Sequence, residues 1–212
     1  MKLIGMLDSP FVRRVAISLD LLGVPFAHES VSVFSTFDLF QRINPVVKAP
    51  TLVCDDGGIL MDSSLILQYV EATRAPGAAA LWSRDPAALL HEYRTVSLAL
   101  AACEKSVQIV YERNLRPAEA QYAPWMERIT GQLLAAYAAL EQQVSSRPAA
   151  FMGAPNQASI TAAVAWQFTQ SMLAHTVPAA QHPSLVALST QLEGTAAFLA
   201  YPPDGPGVPA VQ

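Results

Sequence analysis

Serine followed by proline, Ser9-Pro10, stands between the apolar run Leu3-Ile4-Gly5-Met6-Leu7 and a long amphipathic stretch, and this junction limits what the chain can build around it. The serine oxygen suits an N-cap. Proline suits the first helical turn, where its missing N–H is not needed, so a short strand must give way to a helix here. The Ser9 hydroxyl and the free N–H groups of that turn then share one small electropositive spot, which favours an anion. Helix capping alone is also a sufficient reading of a single serine.

The next residues extend the pattern. Val12, Val15, Ala16, Leu19 and Leu22 recur at helical spacing, with Gly23 as a stop and Pro25 beyond it, which predicts a helix over residues 10–23. Phe26 to Val33 reads as a second strand, and Thr36 as the cap of a short helix reaching Arg42. Pro50 to Cys54 and Ile59 to Met61 form a hairpin around Asp55-Asp56-Gly57-Gly58, and Asp62-Ser63 caps a third helix that ends near Arg74. The order is β-α-β-α-β-β-α.

That order carries three separated segments: Ser9-Pro10-Phe11-Val12-Arg13-Arg14-Val15, then Asn44-Pro45-Val46-Val47-Lys48-Ala49-Pro50-Thr51-Leu52, then Asp62-Ser63-Ser64-Leu65-Ile66-Leu67-Gln68-Tyr69. Together they resemble the soluble glutathione transferases, and Ser-Pro-Phe resembles their serine-type classes, the plant tau class and many bacterial members among them. The resemblance implies a thioredoxin-like α/β domain over residues 1–75 that holds glutathione, a linker over 76–85, and an all-helical bundle over 86–212 that supplies the pocket for a small apolar electrophile. It makes the protein an enzyme that activates the glutathione thiol.

Each segment then has an expected task. A free thiol has a pKa near 8.5, so little of it is the nucleophilic thiolate at neutral pH. A hydroxyl donating to sulfur at a helix N-terminus lowers that pKa by about two, worth about 2.7 kcal/mol, which makes Ser9 the expected catalytic residue. By resemblance, Phe11 belongs to the same glutathione-binding segment, and Ala49-Pro50 matches the family's cis-proline, whose preceding backbone pairs with the cysteinyl unit. Ser63 and the mouth of its helix match the family's site for the γ-glutamyl carboxylate, Asp62 attracts the α-amino group, and Lys48 reaches the glycyl end. Ala49-Pro50 read alone is an ordinary proline opening a strand, Asp62-Ser63 read alone is a plain cap, and Lys48 read alone is a solvated surface lysine.

Composition narrows the partners. With 212 residues and a net charge of −4, the chain has no basic footprint for nucleic acid. Only Cys54 and Cys103 occur, without CxxC or metal spacing, so no metal and a reduced cytoplasmic compartment are expected, and with Met1 running directly into the first strand no leader is expected either. Residues 148–192 contain no Asp, Glu, Lys or Arg, yet Asn156, Gln157, Gln167, Gln170, His175 and several prolines interrupt them, so a buried helix is expected there and not a membrane span. Ser159 is expected to cap that helix with half a capping box, since Ala162 stands where the acidic residue belongs.

Asp85-Pro86 starts a long helix toward Arg113, Leu81-Trp82 is expected to insert as an apolar key into the helical domain, and Ile129, Leu133, Tyr137, Leu140 and Val144 mark the core face of a second long helix. Residues 185–199 predict one or two short helices, and the Pro- and Gly-rich tail from Pro202 predicts none. By resemblance the electrophile pocket draws on Leu100, Glu104, Gln108 and Tyr111, and the protein is a homodimer. His28, His91, His175 and His182 are isolated and read as structural. A glutathione-dependent isomerase or peroxidase of the same fold, or a non-catalytic glutathione-transferase-fold member that binds a protein, are the alternatives. A disulfide reductase would want cysteine at position 9.

Overall fold

The computed structural model describes residues 1–209. They fall into two compact units, Met1–Leu81 with Thr195–Pro206, and Trp82–Gly194 with the tail from Gly207. Residues 195–206, read from the sequence as part of a helical domain, thus cluster with the first unit.

In the first unit the order is β1 (Lys2–Ile4), α1 (Pro10–Leu21), β2 (Ala27–Glu29), α2 (Phe37–Ile43), β3 (Thr51–Val53), β4 (Ile59–Met61) and α3 (Ser63–Thr73), the expected thioredoxin-like succession. The sheet runs β2-β1-β3-β4, with β1 parallel to β2 and antiparallel to β3, and β3 antiparallel to β4. Leu3 and Ile4 are consecutive and both buried, so they face opposite sides of the sheet. Ile4 packs with Val31 and with Phe40 of α2, and α1 packs against β1 and α3. The second strand is shorter than its β-rich sequence suggested, and the Thr36 hydroxyl does not cap α2. It accepts the Ser32 N–H at 2.8 Å and donates to the Ser32 carbonyl at 3.0 Å, closing the preceding turn.

Helix α1 is buried on nearly every side, including both arginines. Arg13 Nε donates to the Tyr201 carbonyl at 2.8 Å, its guanidinium lies 5.4 Å from the Phe198 ring centre, and Tyr201 stacks on Phe26 at 5.8 Å. The short C-terminal helix α9 (Ala196–Ala200) is therefore fixed to α1 by a buried cation as well as by apolar packing, and a buried arginine is stable only with such partners.

The second unit contains the helices α4 (Pro86–Leu115), α5 (Ala123–Ser146), α6 (Pro148–Phe151), α7 (Gln157–Leu173) and α8 (Pro183–Glu193). Asp85 caps α4 through the Ala88 N–H at 2.8 Å, as its Asp-Pro start predicted. α7 sits among α4 and α8 and is buried over most of its length, while α5 packs on α4 and α8. Its cap lies three residues earlier than expected. Asn156 is the N-cap, its Oδ1 accepts the Ser159 N–H at 2.9 Å, and the Ser159 hydroxyl accepts the Asn156 N–H at 3.0 Å. Ser159 is thus the N3 partner of a complete capping box, and Ala162 is simply core. The mouth of α8 has no cap of its own. Glu141 of α5 serves it, accepting the Ser184 and Leu185 N–H groups at 2.8 and 3.0 Å. Among the described residues no helix is long and apolar enough to cross a membrane.

Candidate functional site

Ser9 caps α1 in extended backbone conformation, but its oxygen accepts the Val12 N–H at 3.5 Å, the outer limit of a hydrogen bond. The caps of α3 and α4 are made at 2.8–2.9 Å. Ser9 remains partly exposed, and because its oxygen is the acceptor in that contact, its own proton is left to donate elsewhere. Phe11 follows in the first turn, half-buried.

Ala49-Pro50 is brought close to this turn by an absent side chain. Gly5, at φ +140°, has no Cβ, and one placed there would lie 2.6 Å from Val12 Cγ2 and 3.2 Å from Ala49 Cβ. Only glycine fits both the conformation and the space. The peptide bond preceding Pro50 is cis. The loop that carries it is tied down from within: the buried Asn44 donates to Thr51 Oγ1 at 2.9 Å and accepts the Val46 N–H at 3.0 Å, and the Thr51 hydroxyl donates to the Lys48 carbonyl at 2.7 Å. Val47 inside this loop has φ 52°, a left-handed conformation costly for a β-branched residue and maintained by those bonds. The Lys48 side chain is exposed.

The third segment meets the first through Arg14. This arginine, 1% exposed, donates from Nη1 to the hydroxyls of Ser63 and Ser64, both at 3.1 Å. With its oxygen accepting from Arg14, the Ser63 hydroxyl must direct its own proton elsewhere, and the guanidinium adds positive charge to the mouth of α3. Asp62 is the cap of that helix, Oδ1 accepting from Ser64 N at 2.9 Å and Leu65 N at 3.3 Å, and it holds φ 75° to do so. One face of its carboxylate is therefore committed to the helix.

Sequence reasoning quoted Arg14, Asn44 and Thr51 only as parts of motifs, and passed over Gly5. A detectable signal existed for the arginines, since they fall inside the apolar spacing of α1, where a charge demands a partner. Also unforeseen is the C-terminal segment beside Asp8: Gly205 comes so close to the Asp8 carboxylate that a Cβ there would collide with it.

The four residues expected to line an electrophile pocket share one face of α4. Leu100 and Gln108 are half-buried, while Glu104 and Tyr111 are exposed. Glu104 accepts from Gln108 Nε2 at 3.0 Å and from Lys105 Nζ at 3.2 Å, a polar surface network. The two cavities described in the helical unit are lined by other residues. His28 bonds the Gly5 carbonyl at 2.8 Å and His182, buried, the Pro178 carbonyl at 3.0 Å, both structural contacts. Among the described residues no cluster of three or more His, Cys, Asp or Glu has the geometry of a metal site.

Residues 3–78 match the family model of the glutathione S-transferase N-terminal domain. A glutathione S-transferase from Methylobacterium radiotolerans, solved in complex with glutathione sulfonate, superposes with a TM-score of 0.81 at 26% identity over 100% of this chain and 95% of that one. Residues 3–78 thus carry the glutathione S-transferase N-terminal domain, and the chain has the glutathione transferase fold. The GST-like protein YibF of Escherichia coli K12 is 32% identical to this chain over 121 residues, 57% of this chain and 58% of YibF. The chain thus matches less than two thirds of that relative's length, and about a third of glutathione S-transferase U4 from Arabidopsis thaliana.

Proposed function

We propose that the protein binds glutathione across the mouths of α1 and α3 and ionises its thiol for addition to a small apolar electrophile, with Ser9 as the serine-type catalytic residue. The observation that carries this reading is the convergence of three segments on the N-terminal half of α1: Ser9 as a loose cap with a free proton, Ala49 closed against Val12 over Gly5, and Ser63 held by Arg14. In this reading Ser9 donates to the sulfur, and the first-turn N–H groups of α1 add their field to the thiolate. The backbone of Ala49, with Pro50 behind it, pairs with the cysteinyl unit, and Ser63 with the α3 mouth takes the γ-glutamyl carboxylate. Phe11 flanks the bound peptide and Lys48 reaches its glycyl end. Asp62 acts on the α-amino group through the charge left beside its capping oxygen. The electrophile is met by the α4 face of Leu100, Glu104, Gln108 and Tyr111. An exposed apolar face on α3 and β4, with Leu65 at 56% and Met61 at 37%, supports a homodimer, and sedimentation would check it by giving twice the chain mass.

The deciding experiment is Ser9→Ala. Retention on immobilised glutathione should persist, while conjugation to 1-chloro-2,4-dinitrobenzene falls about 10- to 100-fold at neutral pH and recovers as pH approaches about 8.5, where the thiol ionises unaided. An unshifted pH profile with unchanged turnover per folded molecule would reduce Ser9 to a cap. Absence of glutathione binding by the wild type would move the protein to the non-catalytic class.

A further inference from the structure

A cavity of about 400 Å³ opens in the helical unit where the first turns of α4, the end of α5, the short α6 and the cap of α7 meet. Its size is that of a small-molecule site. Ala87, Ala88, Ala150 and Ala158 line it together with Phe151. At a junction of helix ends, side chains this short leave open what leucine would fill.

The polar groups around it divide into two kinds. Some are already satisfied: Asn156 Oδ1 accepts the Ser159 N–H and its Nδ2 donates to the Ala150 carbonyl at 3.1 Å, Thr95 donates to the His91 carbonyl at 2.9 Å, and Glu92 Oε2 accepts the Ser83 N–H at 2.8 Å. Two are not. Gln143 Oε1 and Arg147 Nη1 are buried and have no hydrogen-bond partner among the described residues. They belong to residues four apart at the end of α5, hence on one side of the helix, and both residues line the cavity. A buried acceptor and a buried donor, both left unpaired on residues lining one cavity, are rare in a folded protein and call for a partner.

We propose that this cavity is a binding site for a small, flat, uncharged molecule with an apolar body and an amide edge, whose carbonyl accepts from Arg147 Nη1 and whose N–H donates to Gln143 Oε1. A carboxylate answers Arg147 but offers Gln143 no proton, and it enters beside the Glu92 carboxylate. A hydrocarbon answers neither. Every residue involved lies in the helical unit, so the site is independent of Ser9, Ala49 and Ser63.

Three isosteric probes separate these cases: naphthalene-2-carboxamide, 2-naphthoate and 2-methylnaphthalene, each titrated into the full chain and followed by protein NMR. The amide should bind about tenfold or more tightly than either analogue, the difference one satisfied hydrogen bond makes. Gln143→Met and Arg147→Met should each remove about that factor for the amide while leaving the hydrocarbon unchanged, so if one variant fails to fold the other still decides. Ser9→Ala should leave amide binding as it is. Tightest binding by the carboxylate would overturn the ligand class. Equal binding of all three probes, indifference to both substitutions, or no binding at all would overturn the site.

Discussion

The two units bury polar groups for different ends. In the first, Arg14, Asn44, Thr51 and Ser63 are buried where they hold loops and helix mouths in place, Arg14 by reaching Ser63 on another helix and Asn44 by reaching Thr51 across its own loop. In the second, the buried polar residues stitch helix to helix: Tyr137 lies 2.9 Å from the Ala165 carbonyl and 2.7 Å from Thr169 Oγ1, which meets Ser106 at 2.8 Å. One unit uses polarity to fix loop and helix-mouth backbone, the other to pack a core.

The contrast is broken most severely at Gly5. Gly5→Ala places a methyl 2.6 Å from Val12 in a conformation that only glycine adopts readily, so a loss of about 3 kcal/mol or more is expected in thermal or urea unfolding. Its displacement of Ala49 should also abolish retention on glutathione under conditions where the variant is still folded. Retention at the wild-type level would show that closure of Ala49 on α1 does not matter to the ligand.

Arg14→Met comes next. It keeps most of the volume and removes the donor to Ser63 and Ser64, so glutathione binding should weaken by about 2 kcal/mol, some thirtyfold by calorimetry, with a smaller change in melting temperature. A loss of stability without a loss of affinity would make Arg14 a packing residue like those of the helical unit.

Tyr137 tests the other side. Burial pushes its hydroxyl well above the ordinary tyrosine value near 10, so the folded state keeps a proton that the unfolded chain releases. Its contribution is complete below about pH 10 and drains away as pH rises beyond. Tyr137→Phe should cost about 1–2 kcal/mol at neutral pH and flatten the fall of the urea midpoint above pH 10. Tyr201 of the first unit, partly exposed and raised by burial and by Asp20, should flatten it less when changed to Phe.

What could be read from sequence follows the same division. Ser9-Pro10, the Asp-Asp-Gly-Gly hairpin and Asp85-Pro86 are local signals, and the strands and helices they announce are present. Leu133, Tyr137, Leu140 and Val144 gave the core face of α5 by period alone. Errors arose where a residue had two local uses. Thr36 and Ser159 can each cap a helix or serve a neighbouring turn, and the choice depends on Ser32 and Asn156. Long-range bonds such as Arg14 to Ser63 or Arg13 to Tyr201 leave no periodic trace at all.

The smallest effect sharpens the comparison because it reverses the sign of the largest. Gly131 lies within α5, exposed, with nothing inside 4 Å of the position a Cβ would take and no positive φ. Here glycine has no structural task, and it costs the helix the entropy of a more flexible unfolded chain. Gly131→Ala should therefore stabilise the protein by about 0.5–1 kcal/mol, read as a raised urea midpoint with unchanged slope, and leave glutathione binding alone. The same substitution at Gly5 is expected to unfold or disarm the first unit. If Gly131→Ala were destabilising instead, this face of α5 would have to be covered in solution by something beyond the described chain.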